Sequence, residues 1–80
     1  MPTILRIGPY RFFFYSEERG EPVHVHVIRE QTEAKFWIKD EVSVASNDGF
    51  AQYELRKIMR LVEENKRLIE NEWNKRKEKC

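Results

Sequence analysis

Two histidines stand two residues apart in the string Val23-His24-Val25-His26-Val27. Alternation along a strand puts both imidazoles on one face, about 7 Å apart at Cα, and imidazole is the side chain that titrates nearest neutrality. Cutting RNA beside a 2′-hydroxyl needs a base for that proton, an acid for the leaving oxygen and a cation for the phosphorane. His24 and His26 are the candidate acid and base. Arg11 or Lys35 is the candidate cation, and Tyr15 or Trp37 a platform on which a base could stack. A metal-independent ribonuclease is therefore one expectation. The plainer reading of the same residues is two half-exposed histidines pairing across a sheet.

Other chemistry has less to work with. A zinc site wants three or four protein ligands. The chain has no Cys-x-x-Cys, and the carboxylates near the histidines in sequence are Glu21, Glu30 and Glu33. No metal and no cofactor are expected. Gly8-Pro9 and Gly20 read as turns, with no phosphate-binding loop among them. Cys80, the one cysteine, ends the chain; a nucleophile there would lack a fixed base, and it reads as a free terminal thiol.

The elements that must position these residues divide at about residue 50. Thr3–Ile7, Tyr10–Ser16, Val23–Arg29, Glu33–Lys39 and Val42–Ala45 are rich in β-branched and aromatic residues and predict four to five short strands. Gly8-Pro9, residues 16–22, Asp40-Glu41 and Asn47-Asp48-Gly49 separate them as turns, so consecutive strands should run antiparallel. Beyond Gly49 the period becomes helical: Ala51, Leu55, Ile58, Met59, Val62, Ile69 and Trp73 share one stripe, which Leu61 and Leu68 widen. The prediction is an α+β fold, a small antiparallel sheet packed on one face by a long C-terminal helix. A continuous helix over residues 51–77 would be about 40 Å long against about 23 Å for a seven-residue strand. Either it breaks near Asn65 and folds back, or Leu68, Ile69 and Trp73 meet something outside this fold.

Strand alternation sorts the sheet residues into two sets. Tyr10, Phe12, Phe14, the three valines of Val23–Val27, Ala34, Phe36 and Ile38 suit the helix stripe. The opposite face then carries Arg11, Phe13, Tyr15, His24, His26, Lys35, Trp37 and Lys39. If open, that face is more apolar than isolated monomers usually show. Single-stranded RNA could stack on its aromatics while its cations take phosphates. A protein partner or a second copy could bury the aromatics as anchors. A one-residue register slip in a strand would exchange its faces.

Eighty residues, 40% hydrophobic and 36% charged, make one domain, residues 1–50 supplying the sheet and 51–80 the helix and a polar tail. The longest apolar run, Phe12-Phe13-Phe14-Tyr15, is far short of the roughly 20 residues that span a bilayer, and the first residues lack a signal peptide's pattern. A cytoplasmic protein without membrane association is expected. Residues 1–50 hold six basic and eight acidic side chains, residues 51–80 nine and six, a net of minus two and plus three. Any phosphate binding must therefore rest on a local arrangement of charge.

Four segments together resemble a bacterial family. They are residues 1–16, Glu21-Pro22-Val23-His24-Val25-His26-Val27, Ala34-Lys35-Phe36-Trp37, and the Gly49-Phe50 junction leading to Glu54-Leu55 and Val62-Glu63-Glu64-Asn65. This pattern is similar to the domain of unknown function 4160, from Met1 to about Trp73. The resemblance implies one half of a two-gene, toxin–antitoxin-like module whose partner is a small protein encoded nearby. Two positions depart from it. Val23 stands where a second proline is common, and Ala51 where Ser would form a capping box with Glu54, a loss of about 1 kcal/mol that could move the cap back to Asn47 or Asp48. The expected function is a toxin-like module component that binds a small protein partner and acts on RNA through His24 and His26. The alternatives are a non-catalytic regulator that binds nucleic acid or its partner, and a homodimeric structural module.

Overall fold

The computed structural model describes residues 3–15 and 21–78, with side chains as far as Lys75. Five strands, β1 (Thr3–Ile7), β2 (Tyr10–Phe13), β3 (His24–Arg29), β4 (Thr32–Trp37) and β5 (Ser43–Asp48), precede two helices, α1 (Gln52–Glu64) and α2 (Lys66–Glu78). The strands form one antiparallel meander in the order β1-β2-β3-β4-β5. Short turns make that order the natural one. Ile7 pairs with Tyr10 across Gly8-Pro9, where Gly8 has φ 56, a conformation a Cβ resists. Arg29 pairs with Thr32 across a second two-residue turn in which Glu30 takes φ 57. Residues 16–20 of the expected polar turn, and Cys80, lie outside the described residues.

The expected register holds. Phe13 pairs with His26 and His26 with Lys35, while His24 pairs with Trp37, so these residues share a face as alternation required. The strand ends moved most at β5, which runs to Asp48 through a segment read from sequence as a turn. A bulge lets it do so: Lys35 pairs with Ser46 but Phe36 with Val44, leaving Ala45 as the extra residue.

The C-terminal helix is two helices. At Asn65 the backbone takes φ −112 and ψ 17, and the Asn65 side-chain amide donates to the Leu61 carbonyl at 2.8 Å. A side chain bonding back into the preceding turn competes with the helical ladder, which makes Asn65 a site for a break. Ile69 N–H bonds the Asn65 carbonyl at 3.0 Å, so α2 begins at once. Lys66 Nζ donates to the Asp40 carbonyl at 2.6 Å and ties that corner to the β4–β5 connection.

One continuous buried cluster takes Phe12, Val25, Val27, Ala34 and Phe36 from the strands, Leu55, Ile58 and Val62 from α1, and Ile69 and Trp73 from α2. Phe14 meets Trp73 edge to face with centroids 5.1 Å apart. Of the three residues read as facing a partner, Ile69 and Trp73 are thus in the chain's own core; only Leu68, 40% exposed, is left outside. After the break, α2 contributes Ile69 and Trp73 to the same buried cluster as α1.

The start of α1 also differs from expectation. Its N-cap is Ala51, whose carbonyl accepts from Leu55 N–H at 2.9 Å and whose side chain caps nothing. Asn47 does not become the cap; its side chain brackets Phe50, accepting from the backbone N–H and donating to the carbonyl, each at 2.9 Å.

Candidate functional site

The histidines sit mid-sheet on β3, with Phe13 of β2 on one side and Lys35 and Trp37 of β4 on the other. The face they occupy is closed rather than open. Phe13 is 1% exposed, His24 0% and His26 5%. The Phe13 ring stacks on His26 at 5.6 Å. Tyr15 crosses the same imidazole with centroids 4.4 Å apart and reaches Glu33, its hydroxyl donating at 3.0 Å to Oε1. His26 Nδ1 lies 3.1 Å from Glu33 Oε2, so one carboxylate serves both rings. Glu33 and His26 are diagonal neighbours on adjacent strands, since Ile28 pairs with Glu33 and His26 with Lys35.

His24 is walled in differently. Its Nδ1 is 2.8 Å from the Pro22 carbonyl. Ring centroids of His26, Trp37 and Trp73 lie 5.2, 5.6 and 5.0 Å from it. The last contact explains why Trp73 matters to this face: α2 sets an indole against a β3 imidazole.

The cations expected to hold phosphate have other partners. Lys35 Nζ bonds Glu21 Oε1 at 2.8 Å and lies 4.5 Å from the Trp37 ring centroid. Arg11 donates from Nε to Thr3 Oγ1 at 2.7 Å, with its guanidinium 5.1 Å from the Phe13 centroid. Lys39 is exposed, beyond the end of β4. The arrangement can orient an imidazole, because Glu33 on Nδ1 selects the tautomer of His26. Both imidazoles are buried in it. Among the described residues no group of three or more His, Cys, Asp or Glu is placed to hold a metal ion.

Sequence reasoning placed the right side chains together but overlooked Glu33 and Glu21 as their anchors. The signal was present for Glu33, which alternates onto the same face as Lys35 and Trp37. A second constellation was missed entirely. Arg29 donates to Glu54 from Nε at 2.7 Å and from Nη2 at 2.9 Å, and Tyr10 donates to the same carboxylate at 2.7 Å. The Arg29 and then the Tyr10 bonds hold the Glu54 carboxyl below its ordinary pKa. Burial, reinforced by the bond to Glu54, pushes the Tyr10 phenol up, and the Glu54 bond raises Arg29. This fork ties α1 to β2 and β3 across 44 and 25 residues of sequence.

The fold and these two constellations define a small α+β domain, a five-stranded antiparallel meander followed by a broken helix. The chain belongs to the family described as domain of unknown function (DUF4160), whose model matches residues 10–74. That match covers β2 through most of α2. No curated protein and no solved structure matches.

Proposed function

We propose that this chain is the non-catalytic, partner-binding member of a two-protein module of toxin–antitoxin type. The observation that carries the reading is the enclosure of His24 and His26, 0% and 5% exposed. General acid–base catalysis needs the imidazole within hydrogen-bond reach of the substrate, and here aromatic rings occupy that space. Evolution of an active site would leave the titrating groups accessible; a binding protein can use the same residues to stiffen the sheet whose rim it offers. That rim consists of Tyr15, Lys35 and Trp37, all half-buried, with Lys39 exposed beyond them. The two-gene arrangement implied by the family resemblance supports a small protein as the occupant.

The ribonuclease reading keeps one observation in its favour, the Tyr15–Glu33–His26 chain, which sets the imidazole as a general base is set. A single experiment separates the two. The full chain and a His24→Ala/His26→Ala variant are incubated with RNA, and each is mixed with the product of the neighbouring reading frame and followed by size-exclusion chromatography with light scattering. The binding reading expects intact RNA from both proteins and a shift to a heteromeric mass. Cleavage by the wild type that a double variant shown to be folded by circular dichroism loses would establish the enzyme instead.

A further inference from the structure

α1 carries a surface that the histidine-face chemistry does not use. Tyr53, Arg56, Lys57 and Arg60 stand at spacings of three and four residues, which puts them on one side of the helix. All four are exposed, Tyr53 at 78%. Among the described residues, no ion pair holds Arg56, Lys57 or Arg60 to a carboxylate. The acid in this stretch, Glu54, is occupied by Arg29 and Tyr10. Lys57 leans to that flank, with Nζ 5.9 Å from the Tyr10 ring centroid. Arg56 and Arg60 form a like-charge pair one turn apart, an arrangement that weakens a helix. Glu63 and Glu64 mark the C-terminal limit of the stripe.

We propose that the Tyr53–Arg56–Lys57–Arg60 stripe of α1 is a nucleic-acid contact that takes the phosphodiester backbone. Three cations within about 6 Å along the helix axis would displace condensed counterions from neighbouring phosphates. The planar guanidinium forks of Arg56 and Arg60 match phosphate oxygens bidentately. Tyr53 offers an exposed ring at the N-terminal end of the stripe for an unpaired base. The charge is local to the stripe: residues 51–65 hold Arg56, Lys57 and Arg60 against Glu54, Glu63 and Glu64, and Glu54 is turned to Arg29 and Tyr10. The contact is independent of the partner-binding reading, whose rim residues lie on other elements.

The test is fluorescence anisotropy of the full chain with a labelled single-stranded RNA and a labelled duplex DNA, each about 20 nucleotides long, across about 50 to 200 mM salt. The wild type is expected to bind at least one of them, and the arm that binds identifies the source of the backbone. Arg56→Glu/Lys57→Glu/Arg60→Glu should weaken binding at least about tenfold and lower the slope of log K against log salt by about 2 to 3. Arg56→Gln/Arg60→Gln, gentler on the helix, should fall between. Circular dichroism confirms that each variant is folded. Binding of neither nucleic acid by the wild type at low salt, or equal binding by the folded charge-reversed variant, would overturn the proposal.

Discussion

His26 and Glu33 are bound diagonally across β3 and β4, Nδ1 to Oε2 at 3.1 Å, beneath a tyrosine that uses the same carboxylate. The relationship turns an apparent reactive pair of histidines into part of a packed layer. It also makes Glu33 the residue on which that layer most depends.

Glu33→Ala removes the shared acceptor of His26 and Tyr15 and should destabilise the fold by about 1–3 kcal/mol. Glu33→Gln keeps an acceptor oxygen and should lose less. Urea unfolding followed by tryptophan fluorescence measures both, with Trp37 and Trp73 beside His24 as reporters. Equal stability of wild type and Glu33→Ala would show that the carboxylate is incidental.

The Arg29–Glu54–Tyr10 fork makes stability depend on acid. Glu54 has a folded pKa below its unfolded one, so its contribution is fully present above the unfolded value, about 4.3, and is lost as pH falls through the folded value. Unfolding midpoints should drop below about pH 4.5 more steeply in the wild type than in Glu54→Gln. Tyr10 works in the opposite sense: its raised pKa gives stability present below about pH 10 and lost as pH rises through the folded value, a loss absent from Tyr10→Phe.

Ile69 and Trp73 belong to the buried cluster, so truncating them should cost what core residues cost. Ile69→Ala is expected to lose about 2–5 kcal/mol and Trp73→Ala about 3–5 kcal/mol in chemical denaturation, whereas Leu68→Ala should stay within about 0.5 kcal/mol. Small effects at Ile69 and Trp73 would place α2 outside the folded unit.

The start of α1 can be improved. Ala51 is an N-cap without a capping side chain, and Ala51→Ser should stabilise by about 0.5–2 kcal/mol, seen as a higher melting temperature. The gain should come from the serine alone, because Glu54, which would complete a capping box, is held by Arg29 and Tyr10.

Gly49, at φ 117, is the opposite case. A Cβ there would sit 3.3 Å from Thr32 Cγ2 in a backbone region that L residues avoid. Gly49→Ala should destabilise by about 1 kcal/mol or more in the same denaturation assay.

Local periodicity accounts for what was legible beforehand. Alternation in Val23–Val27 and Glu33–Lys39 placed the valines, Ala34, Phe36 and Ile38 together and the histidines with Phe13 and Trp37, because side chains in a strand have no other way to point. The turn at Asn47-Asp48 misled, since a bulge carried β5 through it. The face is the one alternation gives, and its Phe13, His24 and His26 are buried. Whether Tyr15 stands away from the sheet or lies across His26 depends on an acceptor 18 residues distant, and no spacing rule reaches that far.

By itself, then, the sequence determined the strand faces, the helical stripe and the family, all properties set by nearest neighbours and by the fixed pitch of each backbone form. Only the tertiary structure decided that the helix breaks at Asn65, that Trp73 meets His24, that Glu33 and Glu54 each gather partners from elsewhere in the chain, and that His24 and His26 are buried. Those outcomes are choices among side-chain directions and long-range pairings of similar local energy, and they are settled by what the rest of the chain brings within contact.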